Sequence, residues 1–335
     1  MGAGHPECPA RIHAIEDRLI ASGLLDFLVR YDAPLADKDM LARVHDPVYI
    51  EQIFSRAPSD GLIYLDSDTA MNPFSLEAAL RSAGAAVMAT DLVISGQVEN
   101  AFCNIRPPGH HAGRRRAAGF CVFNNIAVAA AYALEHHGLR RVAIADFDVH
   151  HGDGTEDIFR EDPRVILCST FRHPFYPYTG ADSSNEHVIN VPLPSGTSGA
   201  DFRAAVTVHW LPALERFCPE MLFISAGFDA HQEDDMGGFG LSDADYGWVT
   251  EQIKAIANRH AGGRIVSVLE GGVCAGCAGS QCHGPYQMPD WVIADVREKP
   301  KFIVSFALPD GLNCFKFSGC RSQYNLLTTL FGFFG

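Results

Sequence analysis

Nothing in this 335-residue sequence reads as a membrane span, because no apolar run approaches the roughly 20 residues needed to cross a bilayer. The start, Met1-Gly2-Ala3-Gly4-His5-Pro6, has neither the basic nor the apolar region of a signal peptide. Basic residues are scarce. Lys+Arg number 26 against 40 Asp+Glu, a net charge of −14, which argues against general nucleic-acid binding because phosphates require a basic face. The acidic balance suits a cationic ligand as well as solubility. No repeat or low-complexity stretch is present, which excludes collagen, coiled coil and wholesale disorder. Cysteine, by contrast, is plentiful. Without a signal peptide, the ten cysteines read as reduced thiols of a cytoplasmic protein rather than a disulfide framework.

Strand-like apolar runs recur at Ala101–Ile105, Arg141–Phe147, Val165–Thr170, Met221–Ala226 and Arg264–Leu269. Between them, Phe74–Ser95, Val122–His137, Ala200–Phe217 and Ser242–His260 carry apolar residues at helical spacing. Strands apolar on both faces, alternating with helices, predict an α/β fold: three layers, α/β/α, around a mainly parallel central sheet. No linker divides residues 1–272, which read as one domain; residues 273–335 form a divergent C-terminal segment.

Polar clusters follow the strands. Arg106-Pro107-Pro108-Gly109-His110-His111 comes after the first run, and Asp146-Phe147-Asp148-Val149-His150-His151-Gly152-Asp153-Gly154 follows the second. Gly227-Phe228-Asp229-Ala230-His231 follows the fourth and Glu270-Gly271-Gly272 the fifth. Ligands of open α/β sheets bind at the carboxyl ends of the strands, so these four segments are expected to converge on one edge. Asp146, Asp148 and His150 alternate along extended chain, which puts them on one face. Asp148 and His150, with Asp229 from another strand, have the makings of a three-ligand zinc site with an open position for water. The competing reading is a loop of solvated acids and capping residues.

His110 and His111 sit on backbone partly fixed by Pro107 and Pro108 and have the right chemistry for proton transfer near neutral pH. Asp146 and Asp153 are the acids available to stand behind the two rings. A pair of structural histidines in a turn is the alternative. His136-His137, at a helix end before Gly138, reads as C-terminal capping and charge compensation.

Together the segments Arg106–His111, Asp146–Thr155 and Ser225–His231 resemble the zinc-dependent deacetylases, the family of histone deacetylases and acetylpolyamine amidohydrolases on the arginase-like α/β fold. His5-Pro6-Glu7-Cys8-Pro9-Ala10-Arg11 is similar to its N-terminal signature, and Leu65-Asp66-Ser67-Asp68-Thr69 to the rim of its active-site mouth. The resemblance runs from about residue 4 to residue 272. It implies zinc on Asp148, His150 and Asp229, with His111 as general base and acid and His110 as its electrostatic partner. It implies that Asp153 supports His111 and Asp146 supports His110, and that Asp146, Asp148, His150, Ser169 and Thr170 hold a structural potassium ion. Gly119, Phe120 and Tyr176 would line a narrow aliphatic channel. The implied reaction hydrolyses an acylated amine to acetate and free amine. The implied partner is an acetylated peptide or acylated small amine, with no direct nucleic acid and no membrane.

The sequence departs from the family in three places. The family has a strand before its His-Pro-Glu motif, whereas this chain starts almost inside that motif, so a strand is expected to be missing. After Glu-Gly-Gly the family places a tyrosine whose hydroxyl donates to the developing oxyanion; here the residue is Val273. Loss of one such donor costs about 10²–10³ in turnover. From Val273 onward nothing resembles the family. Cys274, Cys277, Cys282 and His283 superficially suggest a second zinc site, yet their spacing matches no common zinc module. Two competing functions follow: an acyl-lysine binding protein that keeps the zinc but turns over poorly, and a binuclear manganese hydrolase of the arginase type. The second is weakened because Gly227–His231 supplies a single acid. Met236 occupies the place of an acidic gatekeeper in polyamine-selective members, although Glu233 and Asp235 are nearby; this tilts the expected substrate toward acyl-lysine.

Overall fold

The structure is a computed structural model describing residues 1–2, 4–272 and the backbone of 301–305. The chain opens with α1 (Ala10–Ala21), β1 (Leu28–Asp32), α2 (Lys38–Leu41) and α3 (Pro47–Arg56). The short hairpin β2 (Ile63–Tyr64) and β3 (Ala70–Met71) follows, then α4 (Ser75–Ile94), β4 (Asn100–Asn104), α5 (Asn125–Glu135) and β5 (Val142–Asp146). Next come α6 (Asp153–Phe159), β6 (Val165–Arg172), β7 (Val188–Leu193), α7 (Gly199–Ala205) and α8 (Leu211–Phe217). The remainder is β8 (Met221–Ala226), α9 (Asp243–His260), β9 (Ile265–Leu269) and β10 (Lys301–Ser305).

Eight strands form one sheet in the order β1-β10-β4-β9-β8-β5-β6-β7, and every pairing in it is parallel. All five residues of β5 and all six of β8 are buried, as two-sided burial of a central parallel strand demands. Alternate residues feed different cores. Val142 and Ile144 of β5, with Met221 and Phe223 of β8, join the core under α3, α4 and α5. Ala143, Ala145, Leu222 and Ile224 join the opposite core, under α1, α7, α8 and α9. This is the three-layer α/β/α arrangement expected from the strand and helix pattern.

The Ala-rich helices earn their place by thinness. Most of the buried residues of α4 are small, Ala79, Ser82, Ala83, Ala85, Ala86 and Ala89 among them, and a Cβ on Gly84 would lie 2.0 Å from the Pro34 carbonyl oxygen. Bulkier side chains would push α4 off the sheet. The helix expected over Ala200–Phe217 is interrupted: α7 passes into a wide turn, Val206–Trp210, before α8. Pro212 lacks the N–H that regular helical bonding would need there, which accounts for the widening. β10, from the C-terminal side of the chain, lies between β1 and β4, pairing Phe302 with Val29 and Ala101. The cysteine and histidine cluster Cys274–His283 and Val273 lie outside the described residues.

Candidate active site

Because the strands are parallel, their carboxyl ends share one edge, and β5 sits between β8 and β6 with Asp146 level with Ser225 and Ser169. The chain beyond Asp146 stays on that edge, carrying Asp148 and His150, while Asp229 follows β8. Asp148, His150 and Asp229 each offer one ligand atom within 4.8 Å of the others. His150 Nδ1 is 3.0 Å from Asp148 Oδ1 and 3.1 Å from Asp229 Oδ2. Burial opposes a charge on His150, but hydrogen bonds to Asp148 and Asp229 raise its pKa to about 10. Burial and the neighbouring Asp148 push Asp229 up to about 6. Burial acts on Asp148 in the same sense, but the His110 and His150 rings outweigh it and hold that carboxyl well below the usual range. Two buried carboxylates and an imidazole converging on one point form a donor set that a divalent cation satisfies.

The backbone is shaped to that cluster. Gly271 N–H donates to Asp148 Oδ2 at 2.8 Å, and a Cβ on Gly271 would sit 2.2 Å from Asp229 Oδ2 and 2.5 Å from Asp148 Oδ2. Only glycine leaves both carboxylates room to approach. Val149 N–H donates to Asp229 Oδ1 at 2.9 Å, fixing the second carboxylate across the two strand ends. Phe175 stacks on the His150 ring at 5.1 Å and 17°.

His110 and His111 lie beside these acids, their ring centroids 4.1 Å apart. His111 Nδ1 is 2.7 Å from Asp153 Oδ1, and Arg116 holds the other Asp153 oxygen at 2.5 Å. Burial, then the neighbouring His110, lowers the His111 pKa to about 4, so this ring is neutral at pH 7 and keeps a lone pair on Nε2 when Nδ1–H faces Asp153. His110 behaves oppositely. Burial resists its charge, yet Asp148 and Asp146 raise its pKa well above the usual value, with Nδ1 3.0 Å from Asp146 Oδ2. One neutral and one cationic imidazole therefore stand side by side, set apart by their acids.

Ser169 and Thr170 are buried on β6, next to Asp146. Ser169 Oγ has no hydrogen-bond partner among the described residues, an orphaned buried donor and acceptor beside carboxylates. Gly119, Phe120, Tyr176 and Met236 line a cavity of about 270 Å3 that also takes in Asp68, His110, His111, Asp148, His150 and Asp229. The Tyr176 ring stands edge-on to His111 at 5.1 Å, and Phe120 N–H donates to Thr69 Oγ1 at 3.0 Å, tying the channel to the rim. Met236 is 47% exposed at the mouth, while neither Glu233 nor Asp235 lines the cavity.

Some participants carried no role in the sequence reading. Glu270, fully buried at the end of β9, accepts the Gly109 and His110 N–H groups at 2.7 and 3.0 Å and so anchors the histidine loop. Burial raises its pKa to about 7. Arg11 donates to the carbonyls of Glu270 and Gly272, joining α1 to the same turn. What marks both residues is their burial, which only the fold reveals. His151, second of its pair, is buried against Glu156 at 2.7 Å rather than against Asp148, His150 and Asp229. His136 is the C-cap residue of α5, as expected, but among the described residues the two rings bond elsewhere: His137 Nε2 pairs with Asp91 of α4 at 2.7 Å, and His136 stacks on Tyr132.

Comparison with known proteins agrees with this geometry. The histone deacetylase domain family matches residues 5–276. The histone deacetylase-like amidohydrolase of Pseudomonas aeruginosa is 39% identical over 277 residues, covering 81% of this chain and 73% of that protein. Human polyamine deacetylase HDAC10 is 35% identical over 288 residues, or 80% of this chain and 42% of the longer relative. Among solved structures, the HDA15 HD domain superposes with a TM-score of 0.75 at 35% identity, covering 80% of this chain and 78% of that one. On its sheet, its strand-end acids and histidines and these relatives, the chain belongs to the histone deacetylase family.

Proposed function

We propose that this protein is a zinc-dependent hydrolase that removes acetyl or other short acyl groups from lysine side chains or related amines. The observation that carries the reading is the convergence of Asp148, His150 and Asp229 beside a neutral His111 backed by Asp153, in one cavity. Asp148, His150 and Asp229 would hold the zinc, and a bound zinc supplies Lewis acidity toward the acyl carbonyl and the attacking water. His111 Nε2 takes the proton of that water and later delivers it to the leaving amine; Asp153 keeps the ring in the required tautomer. His110, held cationic by Asp146 and Asp148, stabilises the negative charge that develops nearby. A potassium ion on Asp146, Asp148, His150, Ser169 and Thr170 would satisfy the orphaned Ser169 hydroxyl.

The channel of Gly119, Phe120 and Tyr176 suits an uncharged acyl chain, and the apolar Met236 at its mouth favours acyl-lysine over acetylpolyamines. Residues 1–272 would carry the catalytic unit, in a cytoplasmic protein; no helix among the described residues is long and apolar enough to cross a membrane. One observation supports a second reading, an acyl-lysine binding protein with little turnover: Val273 stands where the family has its oxyanion tyrosine. Metal analysis alongside deacylation of acetyl-lysine and trifluoroacetyl-lysine peptides decides between them. Zinc with turnover supports the hydrolase. Zinc-stoichiometric hydroxamate binding without turnover selects the binding protein, and two manganese ions per chain would reject both.

A further inference from the structure

The histidine pair at the end of α5 is not accounted for by the active site. Asp91 sits near the end of α4, while His136 and His137 close α5 just before Gly138 turns the chain. Both helices lead into the amino ends of strands, β4 and β5, so this cluster lies at the edge of the sheet opposite the catalytic one. One ligand atom from each of Asp91, His136 and His137 falls within 4.8 Å of the others. His137 Nε2 is 2.7 Å from Asp91 Oδ1, and the two imidazoles meet edge-to-face at 5.0 Å. Tyr132 organises them: its ring stacks on His136 at 4.5 Å and 15°, and its hydroxyl lies 3.5 Å from Asp91 Oδ2.

We propose that Asp91, His136 and His137 form a second, surface metal site that takes one borderline divalent transition ion such as Zn2+, bridging the ends of α4 and α5. Two imidazoles with one carboxylate favour Zn2+, Ni2+ or Cu2+ over Mg2+ or Ca2+, which prefer all-oxygen ligation. Metal–ligand bonds of about 2.0–2.2 Å place donors of one tetrahedral ion roughly 3–3.5 Å apart, so side-chain movements of about 1 Å close the site. His136 is exposed and both its partners are half-buried, leaving the fourth position open to water. Arg43, which lies over the Tyr132 ring at 5.5 Å, is engaged by Glu135.

The test is isothermal titration with Zn2+ of the chain already loaded with one zinc, followed by metal counting after dialysis, on the unmodified protein, His137→Ala and Asp91→Asn. The unmodified protein is expected to take one further equivalent. Each substitution should weaken that step at least about tenfold, or about 1.4 kcal/mol, and leave deacylation of the loaded enzyme unchanged. Zn2+ at saturating concentration should also raise the melting temperature of the unmodified protein and not of His137→Ala, since an ion bound only by the folded state stabilises it. No further equivalent in the unmodified protein would overturn the proposal. So would a further equivalent retained at full affinity in both variants, because the ion would then sit elsewhere.

Discussion

Gly119→Ala offers a sharp test of how His111, the proposed proton carrier, is held. Gly119 has φ +53, and a Cβ built there would lie 2.3 Å from His111 Cδ2 and 2.7 Å from Cγ. Ordinary carbon contacts begin near 3.4 Å, so the ring must retreat by about 1 Å or the channel backbone must give way. Retreat is resisted, because Asp153 grips Nδ1 at 2.7 Å and His110 packs against the ring. Cδ2 is bonded to Nε2, the atom assigned to proton transfer, so the displacement falls on the reacting nitrogen. A misplacement of about 1 Å costs on the order of 10²-fold in rate. The left-handed backbone adds roughly 1–2 kcal/mol of stability loss for any non-glycine residue. Gly196→Ala separates the two effects: Gly196 has φ +80 with nothing within 4 Å of a built Cβ, so it carries the backbone cost alone. Deacylation kinetics, thermal melts and zinc content would be measured on both variants. The expected result is similar melting losses, retained zinc in both, and a kcat loss of about 10²-fold in Gly119→Ala alone. Equal kcat in the two variants would refute the assignment of the His111 position.

Three further outcomes follow. His45 is buried, with Nδ1 2.9 Å from the Gly113 carbonyl oxygen and Nε2 accepting the Asn124 N–H at 2.9 Å; burial lowers its pKa to about 4. Between pH 6.5 and about 4 the unfolded chain binds a proton there that the folded chain does not, so stability falls as pH drops, by about 3 kcal/mol once pH passes below 4; urea unfolding at pH 7 and 4.5 should show a smaller pH dependence in His45→Gln, and an unchanged one would contradict this. Ending the chain after Gly272 removes β10 and leaves the facing edges of β1 and β4 without main-chain partners, so melting temperature should fall and aggregation rise; an unaltered melt would contradict the pairing. Val273→Tyr should raise turnover by up to about 10²–10³ by restoring an oxyanion donor, and unchanged turnover would refute this reading of the departure from the family.

Much of this molecule was legible in the sequence because parallel sheets write themselves plainly. Val142–Asp146 is apolar up to the acid that ends it, and Met221–Ala226 is apolar but for Ser225, because burial on both faces leaves little room for polar residues to blur the pattern. Asp146, Asp148 and His150 come together at one strand end, although the chain from Asp148 to His150 bends rather than runs extended, with the Asp146 and Asp148 side chains each accepting the N–H two residues on. Contacts that close over large sequence separations were not legible. Glu270 reaches Gly109 across 161 residues, and nothing local distinguishes it from an ordinary acid at a strand end. The partner of His137 was missed for the same reason: Asp91 lies on another helix, while local rules saw only a helix end and proposed capping. The placement of β10 between β1 and β4 also escaped the reading, since an apolar run declares a strand but not its neighbours.

The central claim is that Asp148, His150 and Asp229 hold the metal while His111 moves the proton. It is tested most directly by measuring zinc per chain and turnover together in Asp229→Ala and His111→Ala, in a His137→Ala background so that the surface cluster does not contribute. The account predicts that Asp229→Ala loses most of its zinc and its activity. His111→Ala should keep its zinc and lose about 10²–10⁴ in kcat. Full zinc occupancy in Asp229→Ala, or loss of zinc in His111→Ala, would contradict it.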